Sequence, residues 1–444
     1  MQIAIKCLYL IPLTFYLLFA GCEKDFAPIS KNPDSEPVES KLHLDLIDTD
    51  VREAWLRLTV DSTFNADTIE VTREQYIIYR DTMMVRDTVI YDYYFPLTPD
   101  PVYYYRAYAK HKGRKIQITE PQEAQMLPVT SHNYTWEIDT IGTFMSILEG
   151  VWGTAPDNVY AVGTIYLPNF PPYNSTRIVH WDGKIWQPLN FDGNGPEAIF
   201  GFSDSDFWIA GDWGSPSTQR AYIGYWNGTN WQHWQLEFET LKAIWGTSSS
   251  NMYAVGVQGE IIHFDGASWT SMPSGTDYLL NDIWGTSEND IYITGRNSAT
   301  GEGILLKYDE GTWEKIYDGH SIQGIPLSGQ AITIWGQNPY KYYLYTTSVD
   351  LSIGFDHKFV WWNHGFPNDN VLVRRIRGSE YNNLFAIGAF GLIIHFNGQI
   401  FQRYDQFYRK PQGDVLNGIW SFENNVFIVG KSENYTGIVY RGKR

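Results

Sequence analysis

The sequence predicts an all-β chain: a β-sandwich followed by a ring of seven four-stranded sheets that an N-terminal outer strand closes. Three observations lead there. Aromatic residues make up 16% of the 444 residues, with 18 Trp, 31 Tyr and 39 Gly, a composition that favours short strands and tight turns over long helices. Residues 41–128 alternate apolar and polar side chains in runs bounded by turn formers. From residue 133 to 444 the chain repeats itself with a period of about 45 residues. A net charge of -17, with no cluster of Lys and Arg, argues against a nucleic-acid partner, whose phosphates need such a cluster.

The first stretch, "MQIAIKCLYLIPLTFYLLFAGC", has one Lys, an apolar run from Cys7 to Ala20, then Gly21 and Cys22. The run is shorter than a spanning helix needs and ends in small residues, which fits a signal peptide over 1–21. "FAGC" resembles the bacterial lipoprotein signal, with Phe19 where that family usually has Leu. The resemblance implies that Cys22 becomes the lipid-bearing first residue and anchors the protein to a membrane. An uncleaved membrane anchor is the other reading of the same stretch. Cys7 would leave with the signal and Cys22 would carry lipid, so neither of the two cysteines is left for a disulfide. The following "EKDF" resembles the acidic export tag of surface-exposed lipoproteins in the Bacteroidota, which implies an outer-membrane address. Residues 22–40, lipidated Cys22 and a polar, Pro-rich run, read as a flexible tether.

Over 41–128 the runs "KLHLDLI", "AWLRLTV", "YIIYR" and "DTVIYDYYF" have strand periodicity. In "LTPDPVYYYRAYA", Leu97, Pro99 and Tyr103 precede the alternating Tyr105, Ala107 and Ala109. This pattern resembles the corner before the sixth strand of a fibronectin type III sandwich. The resemblance implies that the Tyr103 hydroxyl ties back to upstream backbone, and that Trp55 is the large core residue between the two sheets. It implies a presentation module or a spacer, since fold alone assigns no function.

The repeat is clearest in "LKAIWGTSSSNMYAVGVQGEIIHFDGASWTSM". An aromatic before a small residue recurs at Trp152, Phe200, Trp245, Trp284, Trp335 and Trp420, and Arg377 holds the same place in the sixth unit. Each unit reads as strands a to d: "L..IWG", "vYaVG", "IIHFDG" and a strand around Trp186, Trp231, Trp269, Trp313 or Phe401. The c–d hairpins carry Asp182-Gly183, Asn227-Gly228, Asp265-Gly266 and Asn397-Gly398, dipeptides suited to the positive φ of two-residue turns. In the degenerate fifth unit the strand-d aromatic is expected at Trp361. The seventh unit ends after strand c, and "NYTWEIDTIG" at its other end offers Trp136 and the alternation of the missing strand d. Units of this length are propeller blades, so 133–444 is predicted to be a seven-bladed β-propeller whose ring this strand closes, hiding its sheet edges. The arrangement resembles WD-repeat propellers in its closure, and its motif resembles a widespread bacterial extracellular propeller repeat without a single assigned activity.

The a–b turns "GTAPDN", "GFSDSD", "GTSSSN", "GTSEND" and "GSEYNN" stay alike, and their face is expected to be passive. Variation collects in the b–c and d–a loops of the other face: Tyr166, Phe170 and Tyr173 in the first unit, Trp213 in the second, and His320 between the fourth and fifth. Aromatics on Pro-stiffened loops suit stacking on sugars or anchoring a protein, or else pack their own loops. Three places before the repeated aromatic stand Glu149, Glu197, Lys242, Asn281, Arg374 and Asn417, a polar ring expected at the channel mouth. His180, His263 and His395 recur with the repeat and read as structural, not as a metal site. "GKS" at 430–432 lacks the earlier Gly of a phosphate loop, and "NFDGNG" at 190–195 lacks the closing Glu of a calcium loop. No cofactor or metal is therefore expected. The leading functional expectation is a non-catalytic binding or scaffold lipoprotein that engages a glycan or a protein. The alternative is a polysaccharide-degrading enzyme at the channel mouth, with Glu149 and Glu197 as its carboxylate pair.

Overall fold

The computed structural model describes residues 41–444 apart from 83–84, 94–100, 169–174, 192, 194, 213–219, 238, 319–329, 348–351, 356–357, 362–365 and 368–371. The N-terminal signal, Cys22, Leu97, Pro99, Phe170, Tyr173, Trp213 and His320 therefore lie outside the described residues.

Eight strands come first: β1 (Leu42–Thr49), β2 (Glu53–Val60), β3 (Thr68–Arg73), β4 (Tyr76–Asp81), β5 (Asp87–Tyr93), β6 (Val102–His111), β7 (Arg114–Ile118) and β8 (Gln122–Gln125). They form a sheet β1-β2-β5 and a sheet β4-β3-β6-β7, with β8 also paired to β6. Alternation decides what lies between them: Ala54, Leu56, Leu58 and Val60 of β2 face Ile69, Val71, Tyr105, Ala107 and Ala109 across one core. Trp55 has the opposite parity and is not in that core. It points away from the sandwich and is still only 1% exposed, because Tyr381 of the sixth repeat unit covers it at a ring separation of 6.0 Å. The buried tyrosine of β6 is Tyr105, whose hydroxyl donates to Asp92 Oδ2 at 2.9 Å, a side chain that also pairs with Arg73 at 2.6 Å; Tyr103 is only partly buried.

From β9 (Thr135–Ile141) onward the described residues form seven four-stranded antiparallel sheets. Their inner strands are Ile147–Ala155, Pro196–Ser203, Leu241–Ser248, Leu279–Ser287, Ala331–Asn338, Val373–Glu380 and Val415–Ser421. Each inner strand touches the next, and the last touches the first. The seventh sheet takes its outer strand from β9, which pairs antiparallel with Gly437–Lys443 and sets Trp136 opposite Gly442. Trp136 then packs edge-on against Tyr404 at 5.1 Å and Phe407 at 5.5 Å.

Two devices recur because the sequence repeats. Across the c–d hairpin an aromatic pair faces itself, as in Trp181–Trp186, Phe264–Trp269 and Phe396–Phe401. In the fifth unit this register position is Lys358, opposite Phe355; Trp361 lies three residues further on, so the expected equivalence does not hold there. The second device is the strand-c histidine: His180, His263 and His395 put Nε2 at 2.6, 2.7 and 3.0 Å from the Oδ1 of Asn158, Asn251 and Asn383 at the start of strand b.

Candidate functional site

Every inner strand carries the same irregularity near its start. The pairing with strand b slips at one residue, and that residue is Glu149, Glu197, Lys242, Asn281, Ile332, Arg374 or Asn417. A β-bulge leaves its extra residue out of the ladder and re-aims the side chain. The polar ring read from the sequence is thus the set of bulged residues, with Ile332 completing it. Lys242 Nζ meets Glu197 Oε1 at 2.8 Å. Burial, together with the neighbouring Glu197 carboxylate, pushes the Glu149 pKa up to about 7, against the pull of Arg374 and Lys242. The two candidate carboxylates are brought into one channel, but the free volume they line is about 50 Å³, room for a few waters and far below the roughly 300 Å³ of a typical small-ligand site.

One residue deeper, most units place something small: Gly150, Ala198, Ala243 and Gly418. The fourth, fifth and sixth units instead place Asp282, Thr333 and Arg375. Asp282 is fully buried and accepts from Thr333 Oγ1 at 2.7 Å, from Arg375 Nη1 at 2.5 Å and from Arg377 Nη2 at 2.6 Å. Burial alone would raise the Asp282 pKa; Arg375 and Arg377 outweigh it and hold the carboxyl below its usual value. Arg377 also lies over Trp284 at 4.5 Å, filling the place where the other units carry an aromatic. Sequence reading missed this cluster, although each member is a departure from its own repeat.

The a–b turns were expected to be passive. In the fifth and sixth units they hold the sandwich. Lys341, 1% exposed, occupies the strand-b start where other units have Asn or Asp, and its Nζ lies 2.5 Å from both Asp50 Oδ2 and Glu53 Oε2. Trp55, Tyr343 and Tyr381 rings surround the ammonium at 5.3, 5.4 and 5.0 Å. Asn338 Nδ2 donates to Asp48 Oδ2 at 2.6 Å and Asn382 Nδ2 to the Pro128 carbonyl at 2.8 Å; from the c–d hairpin of the sixth unit, Asn397 Nδ2 donates to the carbonyl of Thr130, just past the sandwich, at 3.1 Å.

The opposite face, made of b–c and d–a loops, presents apolar side chains to solvent. Phe144 is 65% exposed, Met145 62% and Tyr435 52%, and the Phe144 and Tyr435 rings lie 5.9 Å apart. Tyr166, 36% exposed, joins them through its backbone: Thr143 N–H donates to its carbonyl at 2.7 Å, and its own N–H donates to Ser146 Oγ at 2.9 Å. Met145 and Tyr435 hold φ of 71° and 60°, a region that costs a non-glycine residue of order 1 kcal/mol or more. Among the described residues no group of His, Cys, Asp and Glu is arranged to hold a metal.

Solved structures share this architecture. YCF48 bound to a D1 peptide is similar over 71% of this chain and 99% of that one, at 14% identity and a TM-score of 0.50. The WD40 β-propeller domain of Doa1 covers 70% of this chain and 98% of its own at 9% identity, and the Myceliophteria thermophila Cps50 (Swd1) β-propeller domain 69% and 99% at 11%, both with a TM-score of 0.50. At these identities the likeness concerns the fold, which is a β-propeller. No protein-family model and no curated protein sequence matches the chain.

Proposed function

We propose that this is a surface-tethered, non-catalytic binding module: a fibronectin type III-like sandwich over 41–128 carrying a seven-bladed propeller over 133–444, whose b–c and d–a loop face engages a protein segment or a glycan. The observation that carries this reading is the exposed cluster of Phe144, Met145, Tyr166 and Tyr435 on the face the sandwich leaves open. Contiguous exposed apolar side chains mark interaction sites, and backbone strain concentrates at ligand clamps. A propeller of the same fold is bound to a peptide, which supports a peptide as one class of ligand. Cleavage is less well supported, because Glu149 and Glu197 open onto too little space to seat a sugar ring.

The test pans a random peptide library and a polysaccharide panel against the soluble chain from Glu23 onward and against a Phe144→Ser/Tyr435→Ser variant. Ligands selected on the parent should be lost by the variant at an unchanged melting temperature. Equal binding by both proteins would sink the reading, and sugar released from any polysaccharide would favour the enzyme at Glu149 and Glu197. The tether is part of the same proposal: Cys22 carries lipid, 1–21 is removed, and the protein sits on the outer membrane facing outward. Incorporation of labelled palmitate that disappears in Cys22→Ala, and protease access on intact cells, check it.

A further inference from the structure

A cleft of about 340 Å³ opens where the β1-β2-β5 sheet meets the fifth repeat unit. Its walls include Trp55, Tyr91 and Tyr340, and its rim the ion pair Arg57–Asp87. Trp55 and Tyr91 are cross-strand partners on β2 and β5 with rings 6.0 Å apart, and Tyr91 remains 41% exposed. Arg57 and Asp87 form a planar fork, Nε to Oδ1 at 3.0 Å and Nη2 to Oδ2 at 2.6 Å, with both side chains about half exposed. Trp55 is 1% exposed and backs Tyr91, so the ring surface open to the cleft is that of Tyr91 together with Tyr340.

We propose that this cleft is a carbohydrate subsite that takes a neutral saccharide unit. Three properties point to that chemistry. Aromatic faces accept the C–H face of a sugar ring, and Tyr91 and Tyr340 offer them here. The guanidinium–carboxylate fork offers donors and acceptors side by side, which matches vicinal hydroxyls, each of which both donates and accepts. The pair is electrically neutral and the volume falls in the range of small-ligand sites, so neither a phosphate nor a bulky charged ligand is favoured. The site is separate from the loop face proposed above and stands whether or not that reading holds.

The experiment titrates the soluble chain from Glu23 onward with neutral tetrasaccharides of glucose, xylose, mannose and N-acetylglucosamine, followed by tryptophan fluorescence and calorimetry. At least one should bind saturably. Asp87→Ala and Tyr91→Ala should each weaken that binding about tenfold or more, whereas Phe144→Ser/Tyr435→Ser should leave it unchanged. The Arg57–Asp87 pair is exposed, and surface ion pairs contribute little to folding, so Asp87→Ala should fold normally, which its melting curve verifies. Failure of all four sugars to bind, binding equal to the parent in both cleft variants, or loss in the Phe144/Tyr435 variant would each overturn the proposal.

Discussion

Replacing Lys341 by Met removes one charge from the sandwich–propeller junction while keeping most of the side-chain volume. In the native protein the ammonium is 2.5 Å from each of two carboxylates, and Asp50 and Glu53 are only 4% and 7% exposed. At an effective dielectric constant near 20, one such contact is worth roughly 7 kcal/mol of gross attraction, most of it offset by desolvation. Without the lysine the two acids are left buried and uncompensated, a loss of about 3–5 kcal/mol. The sign with pH follows from Glu53, whose carboxyl burial pushes up although Lys341 pulls it down. With that pull gone, Glu53 binds a proton more tightly still in the folded protein than in the unfolded chain. The variant therefore gains stability as pH falls through the raised folded pKa of Glu53 and is weakest in alkaline solution. Urea melts at pH 8 and pH 5.5, followed by tryptophan fluorescence and circular dichroism, measure this directly. A triple variant, Asp50→Asn/Glu53→Gln/Lys341→Met, should recover most of the loss. A deficit below about 1 kcal/mol at pH 8, or one of equal size at pH 5.5, would refute the reasoning.

Glu149 sets a second pH dependence: with its folded pKa raised to about 7, native stability is lost as pH rises from the ordinary carboxylate range through 7. Glu149→Gln should therefore be more stable than the parent at pH 8 by about 1–3 kcal/mol and indistinguishable near pH 4, as paired denaturation curves would show. Asp282→Ala strands two arginines in the channel and should cost about 3–5 kcal/mol, measured by urea melts; a cost under 1 kcal/mol would mean the cluster is solvated. Gly398, at φ 89°, leaves only 2.2 Å between a new Cβ and Val51 Cγ2, whereas Gly266, in the same turn of another unit at φ 92°, has its nearest neighbour at 3.0 Å. Both Ala variants are strained, but Gly398→Ala should lose about 1–3 kcal/mol more than Gly266→Ala in the same assay, because only it presses on the sandwich.

Repetition made the ring legible. Strand boundaries, hairpin turns and the bulged polar positions could be read by laying units of one chain over one another. Trp136 was identifiable because an unpaired strand d at one end matched a missing strand d at the other. What escaped was of two kinds. Trp55 was misplaced because β2 is buried on both faces at its start, so Ala54-Trp55-Leu56 shows no alternation and parity cannot be assigned. Lys341, Asp282, Arg375 and Arg377 escaped because each answers to a residue far away in sequence. Lys341 meets Asp50 across 291 positions, and Asp282 meets Arg377 across 95. Their signal was present as exceptions to the repeat, a Lys for Asn or Asp and charged side chains where neighbours are small or aromatic. The aromatic loop residues Phe170, Tyr173 and Trp213 lie outside the described residues, and the exposed cluster beside Tyr166 went unread because Phe144, Met145 and Tyr435 sit in short, ordinary-looking connections.

The closing strand also sets a timetable. Thr135 Oγ1 donates to the Lys443 carbonyl at 2.9 Å across 308 positions of chain. At ribosomal rates of about 5–20 residues per second, β9 is made roughly 15–60 s before its partner exists. For that interval the edge of β9 is unpaired, which is the condition under which nascent chains pair with the wrong neighbour. The cell must keep that one edge unoccupied until Gly437–Lys443 has been made.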